Sequence, residues 1–286
     1  MTRRPRNFLI FYTAREGSTA IVSALSRNSE IQVPLLEELD RHWITRFYDA
    51  SLDIPATLDE IFVSGTFDLP HTYGRNNFLY YDPRKVEEAG RENLAVGFKW
   101  RPYRLSRRLM RVLRKHDVLV FYLVRRDFRE LVCSLYLSVQ EVEGERIGHA
   151  QFDASRGEEE FRKTRDILEN LSPSARLLPI GKIVLKRLAH AMRYTAVLKL
   201  LRASGVETSR VYYEDFLEDP DRFLAALCAR IGVAPNIAAS HQPQKELRKV
   251  VRTPAKKRVQ NHDRFPVGPV IATGQCIYSA LMRLPS

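Results

Sequence analysis

The apolar and polar positions of the chain open with a short, aromatic-rich apolar run, Asn7 to Tyr12, which reads as a buried strand. Thr13-Ala14-Arg15-Glu16-Gly17 is a turn, and Ser18 to Arg27 reads as a helix with Ala20, Ile21, Ala24 and Leu25 on one side. Strand, glycine turn and helix in that order begin a parallel α/β sheet. Leu94 to Trp100 is a second strand. Asp117 to Val124 is the clearest one, and a helix follows it from Asp127 towards Gln140. Glu158 to Leu171 and Ile183 to Arg202 read as helices, Val206 to Tyr213 as a strand, and Pro220 to Ile231 as a helix ended by Gly232. Ile271 to Met282 makes a terminal helix. Between these lie a mostly polar stretch, Leu36 to Arg91, with short helices and loops, and a basic, loop-like stretch from Pro235 to Arg264. No repeat or low-complexity tract interrupts the pattern. It predicts an α/β fold: a single domain, residues 1–286, with a central parallel sheet flanked by helices and a long inserted segment.

Composition leaves that picture intact, since 44% hydrophobic and 28% charged residues suit a globular chain, and 286 residues can bury a core without disulfides or metals. Charge adds something new. Lys and Arg number 46 against 34 Asp and Glu, a surplus of +12 that implies an anionic partner: nucleic acid, an anionic membrane or a small phosphorylated ligand. Cys133, Cys228 and Cys276 neither pair evenly nor follow a metal-ligand spacing, which suits a reducing compartment. The N-terminus begins basic, and the apolar stretch after it breaks at Arg15-Glu16-Gly17, too short and too polar for a membrane span. With neither signal peptide nor anchor legible, the expected location is the cytoplasm.

Two constellations carry candidate chemistry. The turn Thr13 to Thr19 contains a glycine and feeds a helix, which aims backbone N–H groups and the positive end of the helix dipole at one spot, suited to phosphate or sulfate. Arg15 adds charge, and Ser18 and Thr19 add hydroxyl donors. The plainer alternative is an ordinary β-to-α turn with Ser18 as the N-cap. A nucleotide-triphosphatase loop needs Lys just before its hydroxyl residue, whereas Gly17 precedes Ser18 here. The second constellation runs from Val124 to Tyr136: Arg126 closes a strong strand, and Ser134 comes eight residues later on the next helix. A guanidinium at a strand end can grip a phosphate bidentately with a serine hydroxyl donating from the side. A solvated arginine and a small packing serine are the alternative.

Arg15-Glu16-Gly17-Ser18-Thr19 resembles the 5′-phosphosulfate loop of the sulfotransferases that use 3′-phosphoadenosine 5′-phosphosulfate (PAPS), in which a basic residue precedes Ser-Gly, a hydroxyl residue and Thr. Arg126 and Ser134 resemble that family's 3′-phosphate site. Val211 to Phe216, followed by Asp219-Pro220, is similar to its Y-E-D-L…D-P segment, and Arg252 to Phe265 looks like the basic loop that closes over the nucleotide. The four pieces occur in family order and span nearly the whole chain. The resemblance implies a P-loop-like sulfotransferase fold, PAPS as donor and 3′-phosphoadenosine 5′-phosphate (PAP) as product. It further implies a donor site held by Arg15, Arg126 and Lys256-Lys257-Arg258 with no metal. Residues 235–265 become the nucleotide-covering loop, and 36–91 the acceptor-side insertion. Tyr213 then contacts the nucleotide, or else is a core strand tyrosine.

The same resemblance bears on catalysis. Cytosolic small-molecule members have a His base two residues after a strand-end Lys; here the stretch is Lys99-Trp100-Arg101, without that His. The tyrosylprotein and heparan branches resemble a solution with a Glu base. In the former it lies just past the first helix, where this chain has Pro34-Leu35-Leu36-Glu37-Glu38. Glu37 is the candidate base and Glu38 the reserve, the register being open by one; two exposed carboxylates are the alternative. Lys99 is the candidate for stabilising charge on the transferring group, against a snorkelling strand-end lysine. Two departures stand out: Glu16 replaces the family's usual Ser beside a polyanion cradle, and Phe128 stands where many members have Pro.

Arg101 to Lys115 carries seven basic residues, no acidic one, and the stripe Leu105, Leu109, Val112, Leu113. It reads as a solvated face on an apolar stripe, with peripheral contact to an anionic membrane or a polyanionic acceptor as alternatives. His42 lies near Glu37, for acid–base help or a surface role. The expected function is sulfuryl transfer from PAPS to a hydroxyl acceptor on carbohydrate, lipid or a small metabolite. One rival is a kinase-like phosphoryl-transfer enzyme, disfavoured by the missing loop Lys and the lack of a legible set of magnesium-binding acids. The other is a non-catalytic polyanion or nucleic-acid binder, disfavoured because the charge is spread and no nucleic-acid module is recognisable.

Overall fold

Phe8, Leu9, Ile10 and Phe11 are all fully buried, as a run of four apolar residues must be when both faces of its sheet are covered. They form β1 (Phe8–Phe11), the centre of the sheet. The computed structural model describes residues 4–13, 17–35, 39, 52–67, 82–102, 105–129, 131–132, 135, 141–142, 145–146, 177–235 and 267–283. Its contacts group the chain into two compact units, Met1–Val124 with Ala196–Ser240 and Arg125–Thr195 with His241–Ser286.

The first unit is the α/β sheet and its helices. In chain order it holds β1, α1 (Ser18–Leu25), β2 (Ile31–Gln32), α2 (Ile54–Ser64), α3 (Pro83–Ala89), β3 (Ala95–Trp100), α4 (Arg107–Lys115) and β4 (Leu119–Val124). A two-residue hairpin, β5 (Glu141–Val142) with β6 (Glu145–Arg146), and α5 (Leu177–Ala203) come next in the chain. β7 (Thr208–Tyr212), α6 (Tyr213–Glu218) and α7 (Pro220–Ile231) complete the first unit. The strand order is β2-β3-β1-β4-β7, and every pairing is parallel. Every residue of β1, β3 and β4 is buried, which accounts for the continuous apolar runs of β1 and β4 and for the apolar run of β3 up to Lys99. Phe8 meets Phe121 edge-on at 6.2 Å and Phe11 meets Trp100 at 5.8 Å, each ring contributing about 1.5–3 kcal/mol by burial.

The strands expected over Asn7 to Tyr12, Leu94 to Trp100 and Asp117 to Val124 and the helix over Ser18 to Arg27 are present with trimmed ends. α5 runs past the expected Ile183 to Arg202 at both ends, and the helix expected from Asp127 towards Gln140 lies largely outside the described residues. The strand expected over Val206 to Tyr213 stops at Tyr212, and Tyr213 starts α6 instead. The basic helix expected from Arg101 starts at Arg107, where the Ser106 hydroxyl accepts from the Leu109 N–H at 3.1 Å. Its Leu109, Val112 and Leu113 are buried, so the apolar stripe faces the protein interior. Its outer face carries Arg108 on Asp53 and Lys115 on Asp59. The segment 36–91 supplies α2, whose Phe62 stacks on Phe98 of β3 at 6.2 Å. α7 has the predicted bounds; Asp219 caps it by accepting from the Arg222 N–H at 3.0 Å, and Gly232 ends it at φ 86°.

At the N-terminal ends of the strands, Arg6 before β1 pairs with Asp117 before β4 at 2.8 Å and with Glu207 before β7 at 2.6 Å. Hydrogen bonding to Arg6 holds the Glu207 carboxyl below its ordinary pKa. The Lys85 ammonium sits on the carbonyls of Ser26, Asn28 and Ile31 at 2.6, 2.8 and 3.0 Å, closing the exit of α1, and burial lowers its pKa.

The second unit holds the hairpin, α5 as far as Thr195, and α8 (Val267–Arg283), longer than the predicted Ile271 to Met282. Phe128 packs on Tyr278 with ring centroids 4.8 Å apart. The helix expected over Glu158 to Leu171 lies outside the described residues. Among the described residues, no helix is long and apolar enough to cross a membrane.

Candidate functional site

In the strand order, β2, the strand that follows β1 in the chain, lies towards one edge of the sheet, and β7, the next strand of this sheet after β4, lies at the other. In open parallel sheets a ligand crevice forms outside the strand C-termini at such a switch point. Tyr12 and Thr13, leaving β1, are buried. Gly17 is then the N-cap of α1, in the left-handed conformation at φ 81° and ψ 10°. The plainer alternative, an ordinary turn with Ser18 as N-cap, is thereby corrected: Ser18 is the first helical residue, 4% exposed. The difference is chemical. A serine cap would satisfy first-turn N–H groups with its own oxygen, whereas glycine brings none.

Glycine at position 17 has a second cause. A Cβ there would lie 2.0 Å from Cε2 of Tyr213, so the tyrosine ring lies directly against the glycine backbone. Tyr213, half-buried at the start of α6, stacks on Phe216 at 6.1 Å. The two sequence alternatives for Tyr213 were a nucleotide contact and a core strand tyrosine. Its place in α6 corrects the second.

Lys99 lies opposite Ile10 in the β1–β3 register and is 3% exposed. Its ammonium donates to the Thr19 hydroxyl at 2.7 Å, in the first turn of α1, and lies 5.0 Å from the Tyr12 ring centroid. The Arg101 guanidinium lies 5.1 Å from the same centroid, a second cation on the electron-rich ring. Sequence reasoning absorbed Arg101 into the basic helix. The signal that could have separated it is the two-residue spacing from Lys99 in extended backbone at the end of β3, the spacing that repeats one side of a strand. Trp100 points the other way, and its indole N–H donates to the Leu39 carbonyl at 3.1 Å.

Gly17, Ser18, Thr19, Lys99 and Tyr213 thus meet around the C-terminal ends of β1, β3 and β7 in the first unit. Arg126 belongs to the second unit. Its side chain is exposed, and its carbonyl accepts from the Phe128 N–H at 3.0 Å and from Nε2 of Gln275 at 3.3 Å. Arg15, Glu16, Glu37, Glu38, Ser134, Lys256, Lys257, Arg258 and His42 lie outside the described residues. Gln275 had no sequence signal, because a lone amide on an amphipathic helix has no characteristic spacing.

No family model matches the chain, and no curated protein matches it. Solved structures do. A sulfotransferase from Alicyclobacillus acidocaldarius is similar at 16% identity and TM-score 0.39, covering 97% of this chain and 99% of that one. The sulfotransferase domain of the curacin biosynthetic pathway is similar at 15% identity and TM-score 0.39, covering 99% and 100%. A mouse sulfotransferase complexed with PAP is similar at 11% identity and TM-score 0.34, covering 96% and 90%. The chain is thus similar, over nearly its whole length, to solved sulfotransferases.

Proposed function

We propose that this chain is a PAPS-dependent sulfotransferase that transfers the sulfuryl group to a hydroxyl acceptor on carbohydrate, lipid or a small metabolite. The observation that carries the reading is the junction of three distant sequence segments at one strand end. Gly17 caps α1 with the Tyr213 ring against it, and the Lys99 ammonium sits on Thr19 in the same first turn. An N-terminal turn capped by a glycine, which brings no side-chain acceptor, with a buried cation beside it suits a sulfate or phosphate oxygen.

In this reading the 5′-phosphosulfate lies on the N–H groups of Gly17, Ser18 and Thr19, with Arg15 as counter-charge and Glu16 contributing its N–H only. Arg126 and Ser134 hold the 3′-phosphate, Tyr213 borders the nucleotide, and Lys256-Lys257-Arg258 in the loop 235–265 covers it. The acceptor enters over the segment 36–91. Its hydroxyl oxygen attacks sulfur, and the bond from sulfur to the bridging phosphate oxygen breaks. The electron pair leaves with the 5′-phosphate of PAP, while the hydroxyl proton passes to Glu37, or to Glu38 in the alternative register. Lys99 opposes the charge that builds on the transferring group. Support for a base in this stretch comes from its neighbours: Leu35 and Leu39 are buried, and Trp100, next to Lys99, holds the Leu39 carbonyl.

Calorimetric titration with PAP, ATP–magnesium and duplex DNA at moderate salt tests the reading. Preferred binding of PAP, weakened in Arg15→Ala and Arg126→Ala, is expected. Preference for ATP would install the phosphoryl-transfer reading, and steeply salt-dependent DNA binding the polyanion-binder reading. Glu37→Gln is expected to lower turnover by about 10²–10⁴-fold with PAP binding retained; full activity in both Glu37→Gln and Glu38→Gln would remove the base assignment.

A further inference from the structure

The turn that carries Arg126 is fastened by one side chain of the terminal helix. Oε1 of Gln275 accepts from the Phe128 N–H at 3.0 Å, and Nε2 of Gln275 donates to the Arg126 carbonyl at 3.3 Å. The second Nε2 hydrogen has its own acceptor, the Ser279 hydroxyl at 2.9 Å, one turn further along α8. Every polar atom of the amide is therefore engaged, and its orientation is fixed by the need to present oxygen to an N–H and nitrogen to two oxygens.

Packing on either side holds the clamp in register. Phe128 is fully buried against Tyr278, three residues after Gln275 on α8. Gly274, the residue before Gln275, is where α8 approaches this turn. A Cβ on it would come within 2.8 Å of Phe128 Cε1 and 2.9 Å of Val184 Cγ1. Glycine at 274 lets the helix come close enough for a Gln side chain to bridge residues 126 and 128. The Arg126 side chain itself remains exposed.

We infer that Gln275 is a positioning residue for Arg126: by bridging the Arg126 carbonyl and the Phe128 N–H, it sets the direction in which the guanidinium leaves the end of β4, and hence the affinity for a ligand phosphate there. The inference rests on the proposed role of Arg126 as the 3′-phosphate grip. It predicts a loss confined to the 3′-phosphate, because the two groups that Gln275 bridges belong to residues 126 and 128.

The test compares PAP with adenosine 5′-phosphate, which lacks the 3′-phosphate, by calorimetry on the full chain. Wild type is expected to prefer PAP, and Arg126→Ala to erase about a hundredfold of that preference. Gln275→Ala and the similarly sized Gln275→Met are each expected to lower PAP affinity about tenfold, with adenosine 5′-phosphate affinity unchanged. The double variant Arg126→Ala/Gln275→Ala is expected to lose no more than Arg126→Ala alone. Gln275→Met fills the site, so it keeps the test available if Gln275→Ala does not fold. Equal losses for both ligands, or additive losses in the double variant, would show a general structural role and overturn the inference. So would an intact PAP preference in Gln275→Met when Arg126→Ala destroys it, and then the inference falls alone. If wild type shows no preference for PAP, the 3′-phosphate role of Arg126 falls and the inference with it.

Discussion

Replacing Gly17 by alanine perturbs the site through two separable effects, and a double-mutant cycle with Tyr213 divides them. The first is backbone strain. At φ 81° an L side chain costs about 1–2 kcal/mol relative to glycine. The second is the ring: the new Cβ would lie 2.0, 2.3 and 2.6 Å from Cε2, Cδ2 and Cζ of Tyr213. Carbon–carbon contact is comfortable at about 3.5 Å, so the ring must retreat by roughly 1.5 Å. It retreats against Phe216, which stacks on it and is itself edge-on to Phe223 at 5.6 Å. Overpacking of this kind costs about 1–3 kcal/mol. Gly17→Ala alone is therefore expected to cost about 2–5 kcal/mol, the sum of the two terms. In a Tyr213→Ala background only the strain remains, about 1–2 kcal/mol. Urea denaturation of wild type, both single variants and the double variant gives the coupling, expected at about 1–3 kcal/mol. A coupling within about 0.5 kcal/mol of zero would refute the close approach of loop and ring. Calorimetry with PAP on the same four proteins carries the argument to function: affinity lost in Gly17→Ala should be partly recovered in the double variant.

Lys99→Met is expected to lower kcat about 10²–10³-fold with PAP binding little changed, measured by initial rates with labelled donor; a matching loss of PAP affinity would make Lys99 a donor-binding residue instead. Arg6→Ala should cost about 1–2 kcal/mol in denaturation without affecting PAP binding, a modest figure because Asp117 and Glu207 are 72% and 47% exposed. Glu207 and Asp59 have lowered pKa values, through hydrogen bonds to Arg6 and to Lys115 respectively. Their contribution is therefore complete above the unfolded carboxylate pKa, about 4, and is lost as pH falls through the folded values. Melting temperature should decline below about pH 4, and less steeply in Arg6→Ala. Lys85 has the same sign at the alkaline end. Burial lowers its pKa, so the unfolded chain binds more protons and stability rises as pH climbs from the folded value towards about 10.4. A denaturation series in Lys85→Met should lack that rise.

The parallel sheet was legible because β1, β3 and β4 are buried on both faces, and a doubly buried strand writes an apolar run, uninterrupted in β1 and β4 and broken only by Lys99 near the end of β3. β2 was not legible: two residues, Ile31 and Gln32, form no pattern and pair only because β3 offers an edge. The helix start at Tyr213 was equally hidden, since a tyrosine after Thr-Ser-Arg-Val-Tyr extends the strand signal without a break. At the site, residue types on a single loop were readable, and Gly17 was singled out as a turn glycine. That its second reason is a ring from position 213 is a fact of tertiary packing. The Lys99–Thr19 bond likewise joins residues 80 apart and depends on β3 lying beside β1, an order the chain does not spell out locally.

Among the described residues, the basic side chains at the two ends of the sheet meet different partners, and this bears on what +12 means. At the N-terminal ends, Arg6 spends its charge on Asp117 and Glu207, and Arg230 adds a contact to Glu207 at 3.2 Å. On the outer helix, Arg108 and Lys115 meet Asp53 and Asp59. These cations have carboxylate partners within the fold and offer little to an external anion. At the C-terminal end Lys99 and Arg101 converge on the neutral Tyr12 ring, with Thr19 as hydroxyl partner of Lys99. Two cations gathered on an aromatic face repel each other, and both would attract an anion that came to the strand end. An anion at the strand end would relieve that repulsion, and we therefore propose this end of the sheet, rather than the basic helix, as the place where an anionic donor is held.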